Sequence, residues 1–220
     1  IIAGSEEARL IYLGVSHGLE DESEKRLVID IGGGSTEFIV GRHFEPLLAE
    51  SLHMGCVSMS NRFFSDGKIS ESQFEHAVIS ARQEIEPIEE KYRSSGWQTS
   101  IGASGTNLAI YDVVMENGWS KDGITAEALK TVRKELIACG SIEKINFAGL
   151  SNERRPVFAG GVAILCAAFE ALEITHLRIS DSALREGLLY DLLGRIQHED
   201  VRERTVESLV ERYQADRAQG

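Results

Sequence analysis

Short apolar runs alternate with stretches of helical periodicity along this chain, and the alternation predicts a mixed α/β order. Residues 5–15 read as a helix capped by Ser5, with Glu6 and Glu7 in its first turn and Leu10, Ile11 and Leu13 as its apolar contacts. The almost continuous apolar run 27–31 predicts a strand buried on both faces, stopped by Gly32-Gly33-Gly34-Ser35; residues 36–40 return as a second strand and 46–52 as a third. Helices are expected over 54–64 and 70–94. Ser70 followed by Gln73 forms a capping box for the second, and Pro87 is expected to kink it. A fourth strand at 99–102 leads through a tight turn, Ala103-Ser104-Gly105-Thr106, into a helix over 107–117. Helices at 125–139 and 156–172, a fifth strand at 176–180 and a helix at 183–195 follow, then a charged amphipathic tail from 201 to 219.

Three hairpin-linked strands, helices, a strand, more helices, a fifth strand and a last helix is the order of a ribonuclease H-like domain with a mixed five-stranded sheet and flanking helices. Two such domains face each other in the actin-like ATPase superfamily, an analogy of fold that leaves function to the sites. The expected division is a hinge segment with a helix at 1–26, the α/β domain at 27–196, and the start of a helical domain at 197–220.

Composition narrows the classes. The chain has 220 residues, 42% of them hydrophobic, enough for one sizeable core. No uninterrupted apolar run approaches the roughly 18 residues of a membrane span, so no transmembrane segment is expected. Cys56, Cys139 and Cys166 are odd in number and far apart, which fits a reducing cytoplasm better than a disulfide framework. Thirty-five acidic residues against 23 Lys plus Arg give a net charge of -12, which repels nucleic acid and leaves any anionic ligand to be held locally. Arg154, Arg155, Arg202 and Arg204 could assist, but a solvated surface is the reading their composition favours. The six histidines show no ligand spacing, and Trp97 and Trp119 read as packing residues.

The strongest chemical signal is Asp30-Ile31-Gly32-Gly33-Gly34-Ser35-Thr36-Glu37. Glycines free backbone N–H groups to approach a phosphate and allow a path with positive φ; Ser35 and Thr36 add hydroxyls. Asp30 and Glu37 offer hard oxygen ligands for a Mg2+ ion that keeps several waters. A second small-residue turn, Gly102-Ala103-Ser104-Gly105-Thr106, opens a helix whose N-terminus would attract another phosphate, although such turns are often only caps. Neither has the spacing of a Walker P-loop. Glu6 and Glu7 are candidates for a general base, while first-turn acids also arise simply to complement a helix dipole.

Taken together, Ile1-Ile2-Ala3-Gly4-Ser5-Glu6-Glu7-Ala8-Arg9-Leu10, the Val28–Glu37 segment, Met54-Gly55-Cys56-Val57, the Gly102–Thr106 turn and Ala183-Leu184-Arg185-Glu186-Gly187 resemble the exopolyphosphatase and guanosine pentaphosphate phosphatase (Ppx/GppA) family over nearly the whole chain. The resemblance implies that Glu7 is the catalytic base, that Asp30 and Glu37 organise Mg2+, and that Gly32, Gly33, Gly34, Ser35, Thr36, Gly102, Ser104, Gly105 and Thr106 hold substrate phosphates. Water would attack the terminal phosphorus and release orthophosphate. The family's first domain, with its own Asp and glycine turn, is absent, so a fragment lacking that N-terminal domain is expected. A homodimer is what the family implies for the full-length protein. The unbroken glycine triplet and the segment 196–202 look more like the polyphosphatase branch, which makes inorganic polyphosphate the first expected substrate and guanosine pentaphosphate the alternative. From other classes, an ATP-binding sugar-kinase-like or chaperone-like domain, or a non-catalytic polyphosphate-binding fragment, would share the two turns.

Overall fold

Strand alternation sorts the molecule into two packed layers, one on either face of a single sheet. In the computed structural model, which describes residues 4–18 and 24–194, helix α1 (Gly4–His17) precedes strands β1 (Lys25–Ile31), β2 (Thr36–Arg42) and β3 (Glu45–Leu52). Helices α2 (Cys56–Phe63) and α3 (Glu71–Ser95), strand β4 (Thr99–Ala103), helix α4 (Ser104–Glu116) and the two-residue strand β5 (Ile124–Thr125) follow. Helix α5 (Ala126–Cys139), helix α6 (Arg155–Leu172) and strand β6 (His176–Ile179) complete the named elements, and a helical segment occupies 184–194.

Odd positions of β1, Leu27, Ile29 and Ile31, join Phe38 and Val40 of β2 in the main core against α3, α4 and α6. Even positions face the other way: Val28 packs with Ile39, Ile101 and Ala103 beneath Ala8, Ile11, Tyr12 and Val15 of α1. Asp30 and Glu37 continue these second-face rows by period two, so both carboxylates sit on the α1 side.

The sheet order is β3-β2-β1-β4-β6-β5, with β1, β4 and β6 parallel and the hairpin strands antiparallel. It has six strands where five were expected. The extra one, Ile124–Thr125, pairs antiparallel with the edge of β6 and is too short to leave an alternation in the sequence. The remaining bounds move by one to three residues. The largest change is at α4, which begins at Ser104, so the expected tight turn is a strand end running directly into a helix. Helix α3 is continuous through Pro87. The capping box at Ser70 and Gln73 is formed.

Helix α6 is 18 residues long and apolar enough to cross a membrane by composition, yet most of it is buried as the central core helix. Gly160 and Gly161 lie where it crosses α2 and α4: a Cβ at Gly160 would come 2.6 Å from Cys56 O, and one at Gly161 2.5 Å from Thr106 Cγ2. That close packing explains the pair. The expected tail, 197–220, lies outside the described residues.

Candidate functional site

Asp30, the last but one residue of β1, stands opposite Glu37 on β2 and beside Ala103 on β4. Both carboxylates are more than nine-tenths buried. Glu37 Oε1 accepts a hydrogen bond from Ser51 Oγ at 2.7 Å, which orients it. Asp30 is pushed up to about 6, first by burial, with the Ser104 hydroxyl beside it partly offsetting the rise and neighbouring Glu37 and Glu7 adding to it.

Helix α1 supplies the third carboxylate. Glu6 and Glu7 differ by about 100° around the helix, and the packing separates their roles. Glu6 binds Arg9, Oε1 to Nη2 at 2.7 Å and Oε2 to Nε at 2.8 Å, and Arg9 reaches on to Asp191 Oδ1 at 2.8 Å. Glu7, one turn before the buried Ile11, instead points toward the strand end and lines a cavity of about 650 Å³ with Asp30, Ser104, Gly105 and Arg154. Its carboxyl is raised, first by burial and then by Glu37. The segment after β6 closes this cavity: a Cβ at Gly187 would come 1.8 Å from Leu10 O, and one at Gly14 2.0 Å from Ala183 O. The Ala183–Gly187 motif is therefore a close helix crossing, with Glu186 Oε2 capping it from Ala183 N at 2.8 Å.

The glycine loop starts two residues after Asp30. None of Gly32, Gly33 and Gly34 has positive φ, so the expected left-handed path is not used. The loop is shaped by α2 instead. The N–H of Cys56 donates to Gly32 O at 2.9 Å, and those of Val57 and Ser58 donate to Gly33 O at 3.0 and 3.2 Å. With its carbonyls turned toward the helix start, the loop leaves the N–H groups of Gly33, Gly34 and Ser35 without a backbone acceptor among the described residues, and Gly33 and Gly34 are exposed. Three adjacent free donors suit an anion.

The glycine that this arrangement demands is Gly55, where a Cβ would lie 2.3 Å from Gly33 C and O and 2.4 Å from Gly34 N. Backbone cannot rotate away, and at φ -137° an alanine would meet no strain of its own. Gly55→Ala is expected to destabilise the fold by about 1–3 kcal/mol in urea denaturation through this overpacking alone. An unchanged midpoint would show that the loop yields freely.

Across β4, Ser104 holds φ +72°, rare for a residue with a side chain, at the first position of α4, and its hydroxyl donates to Ile31 O at 3.0 Å. Gly105 follows at the helix N-terminus, and Arg154 lies against it: a Cβ there would sit 2.1 Å from the guanidinium Nη2. Composition alone puts Arg154 on a solvated surface. Its position at the start of α6, before Pro156, was visible, but only the packing of α6 against α4 brings it to this cavity.

Three assigned residues are occupied elsewhere. Thr36 is buried, with its hydroxyl donating to Met54 O at 2.6 Å, Thr106 is buried against Gly161, and Gly102 lies inside β4, where a Cβ would meet Leu177 and Asn107. They brace the two turns and present no side chain to a ligand.

A metal fits in a limited sense. No group of three His, Cys, Asp or Glu side chains among the described residues forms a ready metal cage. Two opposed, buried carboxylates, Asp30 with its raised affinity for protons and Glu37 beside it, do suit a divalent cation that retains water and takes further oxygens from a phosphate.

Comparison with known proteins adds a family. The sequence profile of the Ppx/GppA phosphatase family matches residues 1–196. A "guanosine-5'-triphosphate,3'-diphosphate pyrophosphatase" of Aeromonas hydrophila is 46% identical over 217 residues, covering 99% of this chain and 43% of that protein. One of the same name from Pseudoalteromonas translucida is 42% identical over 219 residues, 100% of this chain and 44% of that protein. The chain thus spans less than half the length of these relatives. Among solved structures, an exopolyphosphatase-like protein superposes with a TM-score of 0.77 at 25% identity, over 89% of this chain and 68% of its own. The Aquifex aeolicus PPX-GPPA enzyme gives 0.73 at 25% identity, over 86% and 63%. The resemblance drawn from the motifs and the actin-like fold class stand; the lean toward the polyphosphatase branch does not, because the relatives at above 40% identity carry the guanosine name.

Proposed function

Because this chain belongs to the Ppx/GppA phosphatase family, we propose that it forms the phosphate-gripping half of an enzyme that hydrolyses the 5′ terminal phosphoanhydride of guanosine pentaphosphate. The observation that carries this reading is the convergence of Glu7, Asp30, Ser104, Gly105 and Arg154 on one cavity at the carboxyl ends of β1 and β4. The free N–H groups of Gly33, Gly34 and Ser35 begin two residues further on. The rest of the full-length protein supplies the facing wall of the cleft.

In this reading the loop N–H groups, the N-terminus of α4 and the Arg154 guanidinium hold the phosphoryl oxygens and bear the charge that develops on them. Glu7 takes the proton of the attacking water as its oxygen bonds to the terminal phosphorus. The bridging P–O bond breaks, releasing orthophosphate, and the pair of electrons stays on the departing diphosphate. Asp30 and Glu37 would hold Mg2+, which when bound supplies positive charge to the phosphate oxygens. Burial suits Glu7 to its part, since a carboxyl of raised affinity for protons is a better base near neutral pH.

The test is orthophosphate release by the full-length protein from guanosine pentaphosphate, long-chain polyphosphate and ATP, each with magnesium. Release from the pentaphosphate at a higher kcat/KM than from the other two is expected. Preference for polyphosphate would return the protein to the other branch of the family, and release from none would leave a binding domain.

A further inference from the structure

A second cavity, of about 290 Å³, adjoins the phosphate cavity and shares Leu108 and Asp181 with it. Its walls come from α4 and from the facing ends of β5 and β6. Leu108 and Tyr111, three residues apart on α4, lie on one helix face and give it an apolar and aromatic side. Leu108 is an exposed large hydrophobic residue, and Tyr111 is half-buried with its apolar body against the core. Asp122, Arg178 and Asp181 line the rest of it with Gly123 and Ile179.

The chemistry of this lining differs from that of its neighbour. Here two carboxylates outnumber one guanidinium, so a second stretch of phosphate would be repelled. His176 Nε2 bonds the backbone oxygen of Asp122 at 2.9 Å and stays 3.7 Å from its carboxylate, whose side chain is 89% exposed and open to other donors. A flat ring with an uncharged edge rich in N–H groups fits an aromatic wall facing carboxylates. Guanine presents adjacent N1–H and N2–H donors there, where adenine presents an acceptor beside its amine. The volume stands near the lower end of ligand cavities, roughly 300–1,000 Å³, enough for a base and too small for a whole nucleotide.

We infer that this cavity receives the guanine base, stacked on Tyr111 and Leu108 with its N1–H and N2–H groups donated to the Asp122 and Asp181 carboxylates, while the 5′ phosphates lie in the adjoining cavity. The inference rests on the guanosine pentaphosphate reading and gives that substrate the nucleoside pocket it needs. The position agrees with the usual place of ligands in α/β sheets, outside the carboxyl ends of parallel strands, here β6.

The experiment compares kcat/KM for guanosine pentaphosphate with that for inorganic tripolyphosphate, which has no base, in the full-length protein and in Tyr111→Ala, Tyr111→Phe and Asp122→Asn. Tyr111→Ala is expected to lower the ratio of the two by roughly ten- to a hundredfold, Asp122→Asn by several-fold or more, and Tyr111→Phe hardly at all, since the phenyl ring still stacks. Should Tyr111→Ala disturb folding, both rates fall together, and the exposed Asp122→Asn decides. An unchanged ratio in Asp122→Asn and in a folded Tyr111→Ala, from a protein that does hydrolyse the pentaphosphate, overturns the base pocket alone. Hydrolysis of tripolyphosphate but not of the pentaphosphate by the unaltered protein overturns the substrate reading, and the base pocket with it.

Discussion

Glu7→Gln is expected to lower kcat for orthophosphate release by the full-length protein roughly 10²–10⁴-fold, with KM moving only a few-fold. Glutamine keeps the shape of the side chain and removes its capacity to take a proton. The other carboxylates are engaged or exposed: Asp30 lies between Glu37 and the Ser104 hydroxyl at the strand end, Glu186 accepts from Ala183 N, Asp181 lies exposed at the cavity edge, and Glu6 is held by Arg9 on the outer side of α1. A base works only when ionised, so kcat/KM of the parent should fall on the acid side below a pKa raised by burial and by Glu37. The variant should lose that limb as well as the rate. Stopped or continuous phosphate assays between pH 5 and 9 read both, and a variant as fast as its parent would remove Glu7 from the chemistry.

Asp30→Asn is expected to do the opposite to stability and the same to function. The carboxyl rises from 3.8 to about 6 on folding, so the folded protein binds the proton more tightly than the unfolded chain. Stability therefore falls as pH climbs between those values, and the loss is complete above about pH 6. It amounts to about 3 kcal/mol at pH 8, and below pH 3.8 it disappears because both states are protonated. Asparagine carries no charge and avoids the loss. Without magnesium at pH 8 the variant should unfold several degrees higher than the parent, by about 2–4 °C per kcal/mol for a domain of this size, and the gap should close at pH 4. Magnesium should stabilise the parent more than the variant, since a cation bound between Asp30 and Glu37 favours the folded state only where both charges exist. Turnover should drop steeply. A parent and variant with equal unfolding temperatures at pH 8 would show that Asp30 is not dehydrated as its burial implies. This pattern, in which a site costs stability that function requires, is the expected mark of charges gathered for catalysis.

Much of the site could be read along the chain because its parts are local. Asp30, three glycines and Glu37 fall within eight residues around one turn, and a buried strand before a glycine run is a strong signal. The five matching segments in order were specific enough to indicate the family. The face on which the carboxylates lie follows from period two alone: Val28 and Asp30 on β1 must point the same way, as must Glu37 and Ile39 on β2.

What distance along the chain conceals is harder to recover. Glu6 and Glu7 are indistinguishable as a pair of acids in a first turn. Their roles divide only when α1 packs on the sheet and turns one toward Asp30 and the other toward Arg9 and Asp191. The glycine triplet looked like a source of positive φ, whereas the glycine the backbone cannot do without is Gly55, about twenty residues later, because α2 begins against Gly33. Arg154 enters the site through the crossing of α6 over α4, and the cavity of Tyr111, Asp122 and Asp181 exists only because a two-residue strand joins the edge of β6.

The order of the longer elements, the two-faced sheet and the identity of the groups at the strand end were legible in the sequence alone, since propensity, alternation and glycine turns act over a few residues. Which acid turns toward Asp30, which backbone N–H groups stay free and which arginine reaches the cavity were decided by tertiary packing, because each depends on two elements far apart in the chain approaching within a few ångströms.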